Sequence, residues 1–348
     1  MRALVIERPG SMEVKDVPDP RPAFGEVLVE VRVCGLCGTD VHIADGEFSP
    51  TPYPIIPGHE FSGTVVDVAS APGSPLSVGD RVAVDPSLFC GSCNACRSGR
   101  GNLCAKWGAI GDTVDGAFAE LVAVPAANAY RLPDHVGLRA GALVEPLSCA
   151  LHGIRRLGAV LGEDVLIVGA GTMGLLLSQL IRRAGAGRLV VVDKVAARRQ
   201  AALDVGASDV AGSLAELDDA KFAAVVDVTG SISAIEEGFI AVQRGGRLLI
   251  FGVAPADARA QLSPFRIYND EITIVGSMAV LHSFRGALEL IASGAVNTDV
   301  LLTHALSLDR FPEALSMVRR GEGLKVHVLP SDRREGIPAE TTARTSIP

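Results

Sequence analysis

Cys37, His59, Glu60 and Glu145 offer one thiolate, one imidazole and two carboxylates, in the stretches "CGLCGTDVH", "GHEFSG" and "LVEPLSCALHG". A mixed set of this kind binds zinc while leaving a position for water or substrate, as a catalytic metal site must. The four residues are far apart in sequence, so spacing alone leaves open an ordinary loop His beside a surface Glu. A second set is compact. In "FCGSCNACRSGRGNLC", Cys90, Cys93 and Cys96 stand three apart and Cys104 follows eight later. Four thiolates with no vacancy form a closed, tetrahedral, structural zinc site. Gly91, Gly99 and Gly101 allow the loop to fold back on itself. This loop is expected to contribute stability, with the chemistry elsewhere.

A third pattern concerns a cofactor. "VLIVGAGTMG" sets Gly169, Gly171 and Gly174 in the order G-x-G-x-x-G, with Thr172 and Met173 between them, at the end of a predicted strand and the start of a predicted helix. Gly169 permits the tight turn, Gly171 lets backbone approach a pyrophosphate, and Gly174 lets helix and strand pack closely. Asp193 ends the next strand, 19 positions after Gly174. A carboxylate there accepts bonds from the adenosine ribose hydroxyls and repels a 2′-phosphate, which predicts NAD over NADP. Lys194, Arg198 and Arg199 are near enough to soften that preference.

The elements that must position these residues fall into two styles of text. Residues 1 to about 150 are rich in Gly, Pro and short alternating runs such as "EVLVEVRVCG", "FSGTVVDVA" and "DRVAVDPS", the pattern of an irregular all-β unit. From about 151 to 284, buried strands ("EDVLIVGAG", "RLVVVDK", "FAAVVDVTG", "RLLIFGVA", "EITIVGSM") alternate with helices such as "TMGLLLSQLIRRAG" and "SISAIEEGFIAVQRGG". That is a doubly wound parallel sheet in an α/β chain. Residues 285–348 hold two amphipathic helices and a last strand, "LKVHVLP", expected to return to the first domain, then the polar extension "SDRREGIPAETTARTSIP". A chain of 348 residues suits two such domains.

Composition excludes several classes. A net charge of −8 disfavours nucleic acid and anionic membranes, which want a basic face. No stretch approaches the roughly 20 apolar residues of a membrane span, and no secretory signal opens the chain, so a soluble cytoplasmic protein is expected. Clustered cysteines there bind metal more often than they form disulfides. Cys34 and Cys149 are expected to be packing residues.

From end to end the chain resembles the zinc-containing medium-chain alcohol dehydrogenases. "CGLCGTDVH", "PGHEFSG", the four-cysteine loop, "GAFAEL", "EPLSCALHG" and "VGAGTMG" occur in the family's order. The resemblance implies a GroES-like catalytic domain followed by a Rossmann cofactor domain, with two zinc ions per chain. It implies Cys37 and His59 as catalytic zinc ligands, with Glu60 and Glu145 as exchanging or alternative ligands. "EPLS" is similar to the sorbitol and threonine dehydrogenase branch, which implies oxidation of a polyol, sugar or cyclitol to a ketone; L-threonine or 2,3-butanediol is the alternative. Thr39 would take the substrate proton, His42 would relay it, and Asp40 would hold the second nitrogen of His59. Thr229, Gly252, Val253, Ser277 and Met278 would contact the cofactor, and "EITIVGSM" would pair subunits into a homodimer or homotetramer. The polyol branch often carries an arginine near position 279, where this chain has Ala279 and only later Arg285; Phe48, Phe118 and Leu281 are the expected apolar lining. A zinc-ribbon module would need a basic surface, and a non-catalytic protein of this fold would lose the ligands present here.

Overall fold

The computed structural model of the protein describes residues 1–48, 51–69 and 75–331 and divides into two compact units. One comprises Met1–Pro146 with the segment from Phe284 onward; the other is Leu147–Ser283. The boundary falls inside the helix Val144–Leu157, a few residues before the expected position 150. All but the first residue of the polar C-terminal extension lies outside the described residues.

The first unit is built on a seven-stranded sheet. Its path runs Leu302–Ser307, Lys325–Leu329, Glu26–Leu36, Glu60–Val68, Arg81–Val84 and Ala129–Arg131, with Leu121–Pro125 pairing Glu26–Leu36. The strand Glu26–Leu36 explains how the unit delivers a site. Its first half alternates, burying Val27, Val29 and Val31, as a strand with one covered face should. From Val31 to Leu36 every residue is buried, because both faces are covered there. Cys37 follows directly and caps the helix Gly38–Asp45. The returning strand Lys325–Leu329 lies antiparallel to this end, with Val326 opposite Leu36 and His327 opposite Gly35. Phe118 and Phe311 meet edge-on at 4.8 Å in the core, tying the return segment to the N-terminal part. Each fully buried Phe, Leu or Ile of this core contributes roughly 1.5–3 kcal/mol.

The second unit is a six-stranded parallel sheet. Its spatial order is Asp209–Ala211, Arg188–Val192, Asp164–Val168, Phe222–Asp227, Val242–Ile250, Thr273–Gly276. Numbered along the chain, this is 3-2-1-4-5-6, the order of dinucleotide-binding sheets. The central strands are almost continuously apolar because helices cover both faces. Two departures from expectation are local. The three-residue strand Asp209–Ala211 hides in turn-like sequence. "VQRGG" was expected to end a helix but begins the strand Val242–Ile250, after the helix Ile232–Ala241 stops. Among the described residues no helix is long and apolar enough to cross a membrane.

Candidate active site and cofactor turn

Cys37 is placed by its cap. Its Sγ accepts the Thr39 N–H at 3.3 Å, and its own N–H donates to Asp40 Oδ2 at 2.9 Å, a reciprocal capping box. The helix N-terminus favours the anionic thiolate and the Asp40 carboxylate. His59 arrives on the loop that opens the strand Glu60–Val68, and its Nε2 lies 3.1 Å from Cys37 Sγ. His59, Asp40 and Glu60 are all buried. Cys37, Asp40 and His59 form one group whose ligand atoms lie within 4.8 Å of one another.

The electrostatics of this group call for a cation. Burial pushes the Cys37 thiol up, and burial raises the Asp40 carboxyl to about 6 despite His59 beside it. Burial pulls the His59 imidazole down, but Cys37, Asp112 and Asp40 overcome it and hold the ring well above its usual range. His59 Nδ1, Asp40 Oδ1 and Asp112 Oδ1 are buried without an aligned hydrogen bond. A thiol, an imidazole and a carboxylate whose ligand atoms lie within 4.8 Å of one another in a largely buried site are what a bound zinc ion would satisfy. The 3.1 Å between sulfur and nitrogen is shorter than the roughly 3.6 Å that tetrahedral Zn–S and Zn–N bonds impose. Loading the site therefore asks for a half-ångström adjustment, and these residues fit the metal.

The remaining expected ligands stand apart from this group. Glu60 Oε2 receives Lys325 Nζ at 2.5 Å, both side chains being 4 % exposed, and Lys325 also donates to the Leu36 carbonyl at 3.3 Å. The carboxylate reaches Lys325 across Gly35, where a Cβ would lie 2.3 Å from Glu60 Oε2. Glu145 is buried and helps to raise Lys325, although burial opposes this; it too lies outside the three-residue group. Asp40 does not hold the second nitrogen of His59: its Oδ1 is 3.8 Å from Nδ1, while Asp112 Oδ1 is 3.2 Å away. Asp112, Lys325 and the buried His327 were not anticipated. The only signal available was an Asp after a glycine in "IGDTVDG", and a Lys and a His at one-residue spacing in an apolar strand.

Thr39 is half-buried beside Cys37, and His42, three residues on, turns its Nδ1 to the exposed Glu47 at 2.8 Å. Cys34 is buried in the core, as expected of a packing residue. Phe118 is fully buried in the same core and lines no open surface, and Phe48 packs partly buried against it. Leu281 is half-buried in a turn where Ala279 (φ 47°) and His282 (φ 50°) are left-handed. Arg285 is exposed and paired with Glu289 at 3.1 Å, so it does not replace the missing arginine.

The four-cysteine loop brings its sulfurs together at 3.5 Å (Cys93–Cys96, Cys90–Cys104) and 3.9 Å (Cys93–Cys104). These lie far beyond a disulfide and near the roughly 3.8 Å between sulfurs around tetrahedral zinc.

In the second unit the glycine turn has its expected form. Gly169 takes φ 106°, and a Cβ on Gly174 would lie 1.9 Å from the Gly169 carbonyl. Gly171 caps the helix Thr172–Arg183, and a Cβ there would meet nothing within 4 Å, leaving the approach to the first turn of the helix clear for a pyrophosphate. Asp193 Oδ2 accepts the Ala170 N–H and Oδ1 the Val195 N–H, both at 2.8 Å, so its carboxylate is fixed beside this turn. Arg199 is bound to the Asp193 and Lys194 carbonyls, Lys194 is exposed and Arg198 half-buried. Asp227, which sequence reasoning missed, is fully buried and accepts Thr229 N–H, Thr229 Oγ1–H and Gly230 N–H. It folds the turn that packs Thr229 and Gly230 on Gly252 and Val253. Ser277 and Met278 follow the edge strand, and Met278 is exposed.

Residues 23–134 match the alcohol dehydrogenase GroES-like domain, and residues 172–293 match the zinc-binding dehydrogenase domain. The chain is similar to D-arabinitol dehydrogenase 1 of Uromyces fabae, at 37 % identity over 95 % of this chain and 97 % of that protein. It is also similar to the sorbitol dehydrogenase of Macaca fascicularis, at 33 % identity over 93 % and 94 %. Among solved structures it resembles a protein from Sinorhizobium meliloti 1021, assigned as a zinc-binding dehydrogenase and bound to NADP. That match has a TM-score of 0.90 and 35 % identity, and covers 94 % of this chain and 99 % of the other. With a mixed thiolate–imidazole centre in one unit and a dinucleotide turn in the other, the chain belongs to the zinc-dependent medium-chain alcohol and polyol dehydrogenases, oxidoreductases that act on small polyols with zinc and a nicotinamide cofactor.

Proposed function

We propose that the protein oxidises a secondary carbinol of a polyol, sugar or cyclitol to a ketone, with Cys37 and His59 as catalytic zinc ligands and NAD as hydride acceptor. The observation that carries this reading is the 3.1 Å approach of Cys37 Sγ and His59 Nε2 inside a largely buried group that also holds Asp40. Zinc held there supplies Lewis acidity, bringing the pKa of an alcohol hydroxyl toward neutrality. Thr39 and His42 are three apart on one helix and so share a face. The Thr39 hydroxyl accepts the substrate proton, and His42, half in solvent with Glu47 at its Nδ1, passes it out. A nicotinamide cofactor held at the Gly169–Gly174 turn would supply the hydride acceptor, so that one alcohol and one NAD⁺ would give one ketone, one NADH and one proton. Glu60 influences Cys37 and Asp40, Glu145 influences Lys325 beside it, and such hard oxygen donors suit a substrate that chelates through neighbouring hydroxyls. Glu60 becomes available only when Lys325 releases it.

Cys90, Cys93, Cys96 and Cys104 hold a second, structural zinc. The carboxylate of Asp193 favours NAD over NADP, although the similar Sinorhizobium meliloti protein was solved with NADP. We also infer a homodimer or homotetramer, since the outer edge of Thr273–Gly276 has no partner strand among the described residues, and a cytoplasmic location, since clustered thiols that bind metal need a reducing compartment. The test is NADH formation on a panel of linear polyols, cyclitols, 2,3-butanediol, L-threonine and primary alcohols. Highest kcat/KM on a polyol or cyclitol is expected; highest kcat/KM on a primary alcohol would overturn the assignment, and L-threonine would move it to the neighbouring activity.

A further inference from the structure

We propose that the two carboxylates beside the Cys37–His59 pair divide their work, Asp40 holding the thiolate and Asp112 holding the imidazole, so that Asp112 is the positioning residue for His59. This rests on the reading of the pair as zinc ligands. Asp40 is already committed. Its Oδ2 takes the Cys37 N–H at 2.9 Å, and its Oδ1 stays 3.8 Å from His59 Nδ1, beyond hydrogen-bonding range. Asp112 Oδ1 is 3.2 Å from the same nitrogen and has no other partner. Both side chains of that contact are 8 % exposed, so water is a poor substitute.

The backbone around Asp112 is built against the loop that carries His59. Gly111 N–H bonds the Val114 carbonyl at 2.8 Å and Asp112 N–H bonds the Ala109 carbonyl at 3.1 Å, closing a tight turn. That turn sits so close to Gly58 that a Cβ on Gly111 would lie 2.3 Å from the Gly58 carbonyl oxygen. The segment after it is laced to the residues before His59: Gly116 N–H to Ile56 O at 2.6 Å, Ala117 N–H to Gly58 O at 2.9 Å and Phe118 N–H to Pro57 O at 2.9 Å. Asp115 returns the contact by accepting the Ile56 N–H at 2.9 Å. One backbone assembly thus sets both ends of the Asp112–His59 contact.

The role follows from chemistry. A His that ligates through Nε2 must carry its proton on Nδ1, and a carboxylate there fixes the tautomer and strengthens the donor. Sulfur and nitrogen at 3.1 Å must also separate to about 3.6 Å around a zinc ion. A carboxylate on the far side of the ring favours that withdrawal.

The test uses the full chain loaded with zinc. Chelator competition reads the affinity of each zinc, and proton NMR reads the far-downfield resonance of the His59 ring N–H. Asp112→Asn is expected to weaken one zinc about 10–100-fold and to abolish that resonance, with the four-cysteine zinc unchanged. Asp112→Glu should restore part of the affinity, because it keeps the charge. Asp40→Asn should leave the ring resonance in place. The proposal is overturned if Asp40→Asn abolishes the resonance while Asp112→Asn keeps it and binds zinc normally. It is also overturned if Asp112→Asn loses both zincs together, since that marks a general folding defect. Cys37→Ser and His59→Ala separate the underlying reading: if they leave both affinities unchanged, the zinc assignment itself fails.

Discussion

Replacing Lys325 by Met isolates the buried ion pair beside the active centre. The change keeps much of the side-chain volume but removes the 2.5 Å contact to Glu60 Oε2 and the 3.3 Å contact to the Leu36 carbonyl. Glu60 is then a carboxylate in a site 4 % exposed, with Asp40 and Cys37 as further acidic neighbours. Breaking one side of such a pair costs about 3–5 kcal/mol, most of it from the charge left behind. Adding Glu60→Gln removes that charge, so the double variant should recover most of the loss and leave a coupling energy of about 2 kcal/mol or more. The assay is denaturant unfolding followed by probes in each unit. Lys325 and Glu60 both belong to the unit Met1–Pro146 plus Phe284 onward, so only its transition should shift. If Lys325→Met costs under about 1 kcal/mol, or the double variant recovers nothing, the pair does not stabilise this face of the sheet as argued.

Three further outcomes follow from the same geometry. Asp193→Ala should weaken NAD by about 10–100-fold, through loss of charged hydrogen bonds to the ribose, and should narrow the gap to NADP; a wild-type kcat/KM higher with NADP would refute the role given to Asp193. Cys93→Ser should remove the loop zinc and lower the melting temperature, whereas Cys37→Ser should keep the loop zinc and fold and abolish turnover; metal analysis with calorimetry distinguishes them. As pH falls, the catalytic zinc should be released as protons take the Cys37 thiolate, because burial raises that thiol and so favours its protonated form. Zinc affinity of the Cys37–His59 centre measured against pH would contradict this if it did not weaken as the pH was lowered.

Local spacing made the four-cysteine loop, the glycine turn and the alternating strands legible, because each rests on neighbours a few residues apart. The parallel sheet of the second unit followed from β–α alternation, except where Asp209–Ala211 was too short to show a period. What stayed hidden depends on register between distant segments. Lys325 reaches Glu60 only because Lys325–Leu329 returns beside Glu26–Leu36, 265 residues from its partner. Asp112 was invisible for a related reason: a turn 53 positions after His59 is pressed on Gly58 by backbone contacts that no side-chain pattern announces. Phe118 was misplaced as a pocket wall because an aromatic residue near a site motif reads the same from sequence whether it faces substrate or core.

The most direct test of the central claim is isotope transfer. Zinc-loaded protein is given NAD and a polyol deuterated at its secondary carbinol carbon, and the nicotinamide and sugar products are analysed by mass spectrometry and NMR. One deuterium at C4 of the reduced nicotinamide for each ketose formed, with both products absent in Cys37→Ser, is the predicted result. An aldehyde product, deuterium-free NADH, or undiminished transfer in Cys37→Ser would contradict the account.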